Sequence, residues 1–155
     1  MANQINRDDF LTGLLYLLEE TFESSKEGEG SAFLDRGVGF FRTLDSLTAE
    51  HASRVVGETT IAAHTEHTRF YLEVLTNYLN SRGENVNWAD SWRVRTVNKT
   101  EWKTMRENLR ESYQAMVKTV QSIENWNEEK ISEAVAILAH TAYHFGAIRQ
   151  ILKPI

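Results

Sequence analysis

The chain has 155 residues, the usual span of one domain, and a formal charge of −5 with acids and bases interspersed. It is long enough to bury a core of its own and lacks the broad positive field that attracts nucleic-acid phosphates. It contains no cysteine, which excludes disulfides, thiolate zinc sites, iron–sulfur clusters, thiol nucleophiles and covalently attached haem, and leaves any metal to His, Asp or Glu.

The opening MANQINRDDF has no basic head followed by an apolar run, and no later stretch nears the roughly 18 apolar residues of a membrane span. A single cytoplasmic domain over residues 1–155, with neither a membrane nor a nucleic acid as partner, is the expectation. Asn6 to Phe22 carries Phe10, Leu11, Leu14, Leu15, Leu17, Leu18 and Phe22, an i, i+3, i+4 stripe that predicts an amphipathic first helix with Asp8 and Asp9 at its positive end. The stretch SSKEGEGSAFLDRGVGFFRTLDSL mixes glycine with apolar residues and keeps no period. It reads as a long ordered connector, a crossover or a lid, with one short helix begun by Thr48 and carrying His51.

Thr59 or Thr60 can cap a second helix through Ile61, His64, His67, Tyr71, Val74, Leu75 and Tyr78, ended by Gly83. Three tryptophans follow, and Trp88, Trp92 and Trp102 are expected to lock the next connection onto the end of the helices. Asn98 stands three before Glu101, a variant of the capping box, and Trp102, Met105, Leu109, Tyr113, Met116, Val120 and Ile123 then share one face of a third helix. Asn127 with Glu128 and Glu129 opens the last, whose apolar residues Ile131, Ala134, Ile137, Leu138, Ile148, Ile151 and Leu152 reach almost to Pro154. Four long helices, each with an apolar face, satisfy those faces together as an all-α four-helix bundle with a long connector between the first and second helices.

Four of the five histidines fall on two of these helices. His140 and His144 are four apart, on one face and about 6 Å apart along the axis, with Ile137 before and Ile148 after them to mark that face as inward. On the second helix His64 and His67 are three apart, and either can face the last helix. Three neutral imidazoles converging from two helices, with a position left for water, form an open zinc-type site, and imidazole equally suits nickel or iron. A di-iron carboxylate bundle is excluded because the residues three before the histidines, Thr48, Ile61, His64, Ile137 and Thr141, include no Glu. The run His64-Thr65-Glu66-His67 likewise lacks the metalloprotease spacing.

HTEHTRFYLEVL on the second helix and HTAYHFGAIRQIL on the last together resemble the DinB-like (damage-inducible) superfamily of four-helix bundles, in order and spacing over essentially the whole chain. The resemblance implies one His from the second helix and the His-x3-His pair of the last, here His67, His140 and His144, around a zinc- or nickel-type ion. It also implies frequent homodimers and a small-molecule substrate. Characterised relatives include isomerases and S-transferases that use mycothiol, bacillithiol or glutathione, the metal activating the thiol. The family name refers to induction by DNA damage and implies no DNA binding.

His64 is an addition to the family pattern, expected as a support to the ligands or an alternative ligand; Tyr71, four after His67, places His67 nearer the centre of the apolar face than Thr68 places His64. The leading expectation is a metal-dependent S-transferase or hydrolase that activates a thiol or water, with no catalytic side chain assigned. The alternatives are a non-enzymatic metal- or small-ligand-binding stress-response protein, and a structural bundle whose histidines hold nothing.

Overall fold

The computed structural model describes residues 6–25, 30–83 and 85–153; residues 1–5, Gly28 and Pro154 lie outside them. Among the described residues the chain is all-helical. Six α-helices run in order, α1 (Arg7–Glu23), α2 (Phe40–Asp45), α3 (Ala49–Ser53), α4 (Ile61–Leu79), α5 (Lys99–Ser122) and α6 (Glu128–Ile151), with one 3-10 helix (Trp88–Trp92) between α4 and α5. The only strand-like pairing among them is an isolated bridge between Val56 and Thr59. Among the described residues no helix is long and apolar enough to cross a membrane.

The helix starts follow local chemistry. Asn6, Thr48, Thr60, Asn98 and Asn127 each turn a side-chain oxygen onto an N–H of the first turn, and Asn98 with Glu101 makes both halves of the capping box. One end differs from expectation. Helix α4 stops at Leu79, four residues before Gly83, because Ser81 takes the left-handed conformation (φ 57°) and its N–H bonds Tyr78 O at 2.8 Å, doing what a glycine was expected to do.

The connector also holds more structure than its composition suggests, with α2 in addition to α3. Two tertiary ties order it. The buried carboxylate of Glu20 accepts N–H bonds from Ala32, Phe33 and Leu34 at 2.8, 3.1 and 2.8 Å, and Gly39 crosses the end of α1 so closely that a Cβ there would lie 2.6 Å from Ser24 N. The close approach, not an unusual dihedral, demands glycine.

Helix α4 packs against both α5 and α6, and α1 packs against α6. One apolar cluster joins all six helices, with Phe22, Phe40, Leu109, Met116, Val120 and Ile148 fully buried. Ile131, expected in the apolar face of the last helix, is instead 38 % exposed.

Candidate metal centre

The histidines sit where α4 meets α6. On α4 the register is set at its first turn, where Thr60 Oγ1 caps Ala63 N–H at 3.0 Å and donates to Arg95 O at 2.7 Å. The buried hydroxyls of Thr65, Thr68 and Thr76 each donate to the carbonyl four residues before them, so α4 carries polar residues into the interior without leaving them unpaired. On α6, Ile137 and Ile148 are 1 % and 0 % exposed, and the two histidines between them point the same way.

The structure brings together His67, His140 and His144. Each can offer one ring nitrogen such that the three atoms lie within 4.8 Å of one another, a spacing that could hold a metal ion. Their rings are 4.4 to 4.9 Å apart between centroids. His64 is outside that group but touches it: its Nδ1 lies 2.8 Å from His144 Nδ1. His51 is exposed on α3.

Aromatic rings wall the cluster. Tyr71 stacks on His140 (3.6 Å, 9°) and Trp92 on His67 (4.0 Å, 17°), while Tyr143 meets His144 edge-on at 4.9 Å. Trp88 meets Tyr71 at a tilt of 44°, 5.3 Å between centroids. Of the three tryptophans expected to lock the second connection, Trp102 does enter the core, with its N–H on Leu47 O at 2.9 Å. Trp92 packs on His67 and Trp88 on Tyr71, and the two residues stay 41 % and 43 % exposed.

Sequence reasoning missed Ser91, which is 1 % exposed between those two tryptophans. Its Oγ lies 2.8 Å from His67 Nδ1 and donates to Trp88 O at 2.7 Å. A serine in a loop gives no periodic signal; only the neighbouring tryptophans hinted that the segment packs.

Burial holds all four imidazoles below their ordinary range, and proximity to one another adds to this for three of them. His140 is pushed down to about 4 and His144 to about 3, and His64 and His67 are also lowered. They are therefore neutral near pH 7, the form that binds metal. His140 Nε2 is buried with no hydrogen-bond partner among the described residues. An orphaned imidazole nitrogen beside two other histidines is one that a bound cation would satisfy, and nitrogen donors suit zinc, nickel or iron, so the residues present fit a metal.

A groove of about 550 Å³ lies elsewhere, between α4 and α5, lined by Arg69, Glu73, Asn108 and Ser112 and by no histidine. Arg69 there pairs with Glu66 and Glu73 at 2.6 and 2.5 Å, so its one charge is already held by the protein's own carboxylates. No family model, no curated protein and no solved structure matches the chain, so the reading of this centre rests on its side chains.

Proposed function

We propose that this chain is a DinB-like four-helix-bundle protein that holds one divalent ion, zinc or nickel, at His67, His140 and His144 and acts as a thiol S-transferase or hydrolase. The observation that supports it most is the convergence of three ring nitrogens, one from each histidine, within 4.8 Å, in a cluster where His140 Nε2 has no hydrogen-bond partner among the described residues. Three neutral imidazoles leave a divalent ion its full charge, so when bound it would supply a Lewis acid able to lower the pKa of a thiol or water.

The chain's own contribution is to orient and to desolvate. Tyr71 and Trp92 cover the faces of His140 and His67, restricting both rings and keeping water from them. His64 fixes the edge of His144 through the 2.8 Å contact between their Nδ1 atoms. Trp88, Trp92 and Tyr143, the last 72 % exposed, offer flat apolar surface to the body of a small organic substrate. A cytoplasmic setting, where low-molecular-weight thiols are abundant, suits a thiol cosubstrate. Ile131 and Val135, one turn apart, also leave apolar side chains exposed on α6, which supports pairing with a second copy of the chain.

Elemental analysis of freshly purified protein should find one zinc or nickel per chain, and His140→Ala or His144→Ala should remove it. Full retention in both variants would overturn the site. If cobalt enters the site but its spectrum is indifferent to every low-molecular-weight thiol tried, the reading shifts to metal or small-ligand binding without thiol chemistry.

A further inference from the structure

Ser91 Oγ has two close neighbours and one proton. It lies 2.7 Å from Trp88 O and 2.8 Å from His67 Nδ1. A carbonyl oxygen only accepts, so the serine proton must lie on the Trp88 side; placed on the His67 side, it would leave two oxygens in contact with no hydrogen between them. The remaining contact is satisfied in one way, with His67 Nδ1–H donating to Ser91 Oγ.

We infer that Ser91 is a positioning residue that holds His67 as its Nδ1–H tautomer and so reserves the Nε2 lone pair for an ion, an inference that rests on the metal-binding reading above. In a free imidazole the proton can sit on either nitrogen, and a ligand histidine whose proton sits on the coordinating atom must first move it. Here the choice is made by the fold.

Ser91 is 1 % exposed and is held within the 3-10 helix Trp88–Trp92. That segment is tied to the rest of the molecule on its C-terminal side, where Thr60 Oγ1 donates to Arg95 O at 2.7 Å and Ser53 Oγ accepts from Val97 N at 2.9 Å. Trp92, one residue on, stacks on the face of the same imidazole at 4.0 Å. The loop therefore grips His67 by its edge and by its face, and the edge contact alone distinguishes the two nitrogens.

The test combines a spectrum with a titration. Long-range proton–nitrogen correlation on 15N-histidine protein, metal-free and at pH 7.5, should show His67 protonated at Nδ1 in the wild-type chain. Ser91→Ala should give a mixture of tautomers and bind zinc about 10–100-fold more weakly in competition with a chelator, the usual cost of losing such a partner; Ser91→Thr, which keeps the hydroxyl, should restore both.

Wild-type His67 protonated at Nε2 would overturn the inference without recourse to any variant, as would a Ser91→Ala protein that keeps the Nδ1–H form. A wild-type chain with the expected tautomer that takes up no zinc, nickel or cobalt would instead overturn the metal-binding reading while leaving the tautomer lock standing.

Discussion

Two clusters of rings meet different faces of α6, one at Phe145 and one at His144, and they are built from nearly the same materials. In the first, Phe145 stacks on Phe40 at 5.1 Å, and Phe40, Phe41 and Tyr113 surround Phe22 at 4.5 to 5.9 Å. In the second, His144 meets His64, His67 and His140 at 4.4 to 5.1 Å within a wall of Tyr71 and Trp92. Both clusters gain from area buried and from tilted or stacked ring contacts. The phenylalanine edges are all C–H and ask for nothing further. The imidazole edges carry nitrogens, and one of these, on His140, is left without a partner among the described residues. Burial that leaves a polar atom unmet costs about 1–3 kcal/mol, so the second cluster is a poor way to build a core and a good way to build a receptor for a cation.

The sharpest way to separate the two is acid. Because the folded-state pKa of His140 is about 4 and that of His144 about 3, against an ordinary value near 6.5, the unfolded chain binds more protons than the folded one between those limits. Stability of the metal-free protein is therefore full above about pH 7 and falls as pH drops through that window. The slope for two imidazoles approaches about 3 kcal/mol per pH unit. Urea unfolding at stepped pH should show it, and the double variant His140→Ala with His144→Ala should be much flatter between pH 6 and 4.5; an unchanged slope would place the acid sensitivity elsewhere. Glu20 enters lower. Burial raises its pKa, but three backbone N–H bonds more than offset this and leave it below the usual value, so its stabilisation is present above its unfolded pKa and is lost as pH falls through the folded one.

The phenylalanine cluster should respond to truncation and not to protons. Phe22→Ala removes a fully buried ring and is expected to cost about 3–5 kcal/mol in urea unfolding, with metal content per folded chain unchanged. A Phe22→Ala protein that folded well but lost its ion would show that the two clusters are not separable. A smaller effect is expected at His64, which borders the histidine cluster through His144. His64→Ala should weaken zinc binding by at most about 10–100-fold, whereas His67→Ala should abolish it in calorimetric titration; the reverse result would make His64 the ligand from α4.

How much of this was legible in the sequence depended on whether the signal was local. Helix starts marked by Asn98 with Glu101, or by Thr60, were readable because the capping partner is three residues away. The inward face of His140 and His144 followed from Ile137 and Ile148 on the same helix. By contrast, α2 owes its place to Gly39 lying against Ser24 and to Glu20 holding residues 32–34, contacts made by the fold and not by neighbours in the chain. Ser91 is the same case: the hydroxyl matters because His67, 24 residues earlier, is brought to it. The resemblance in pattern pointed to His67 over His64, whereas the reason the two differ, one facing Ser91 and the other His144, required the tertiary arrangement.

Helix α6 turns by about 100° per residue, and the adjacent residues His144 and Phe145 look into different clusters. A single residue inserted or deleted between His140 and His144 would leave Phe145 seated among phenylalanines only by rotating His140 out of register with His67 and Tyr71. Over evolutionary time this stretch can exchange side chains but can scarcely change length, while the exposed surface around Ser31 to Asp35 is free to lengthen so long as Glu20 keeps its three N–H groups. Related chains should therefore show their gaps in the connector and an ungapped block from Ile137 to Ile148.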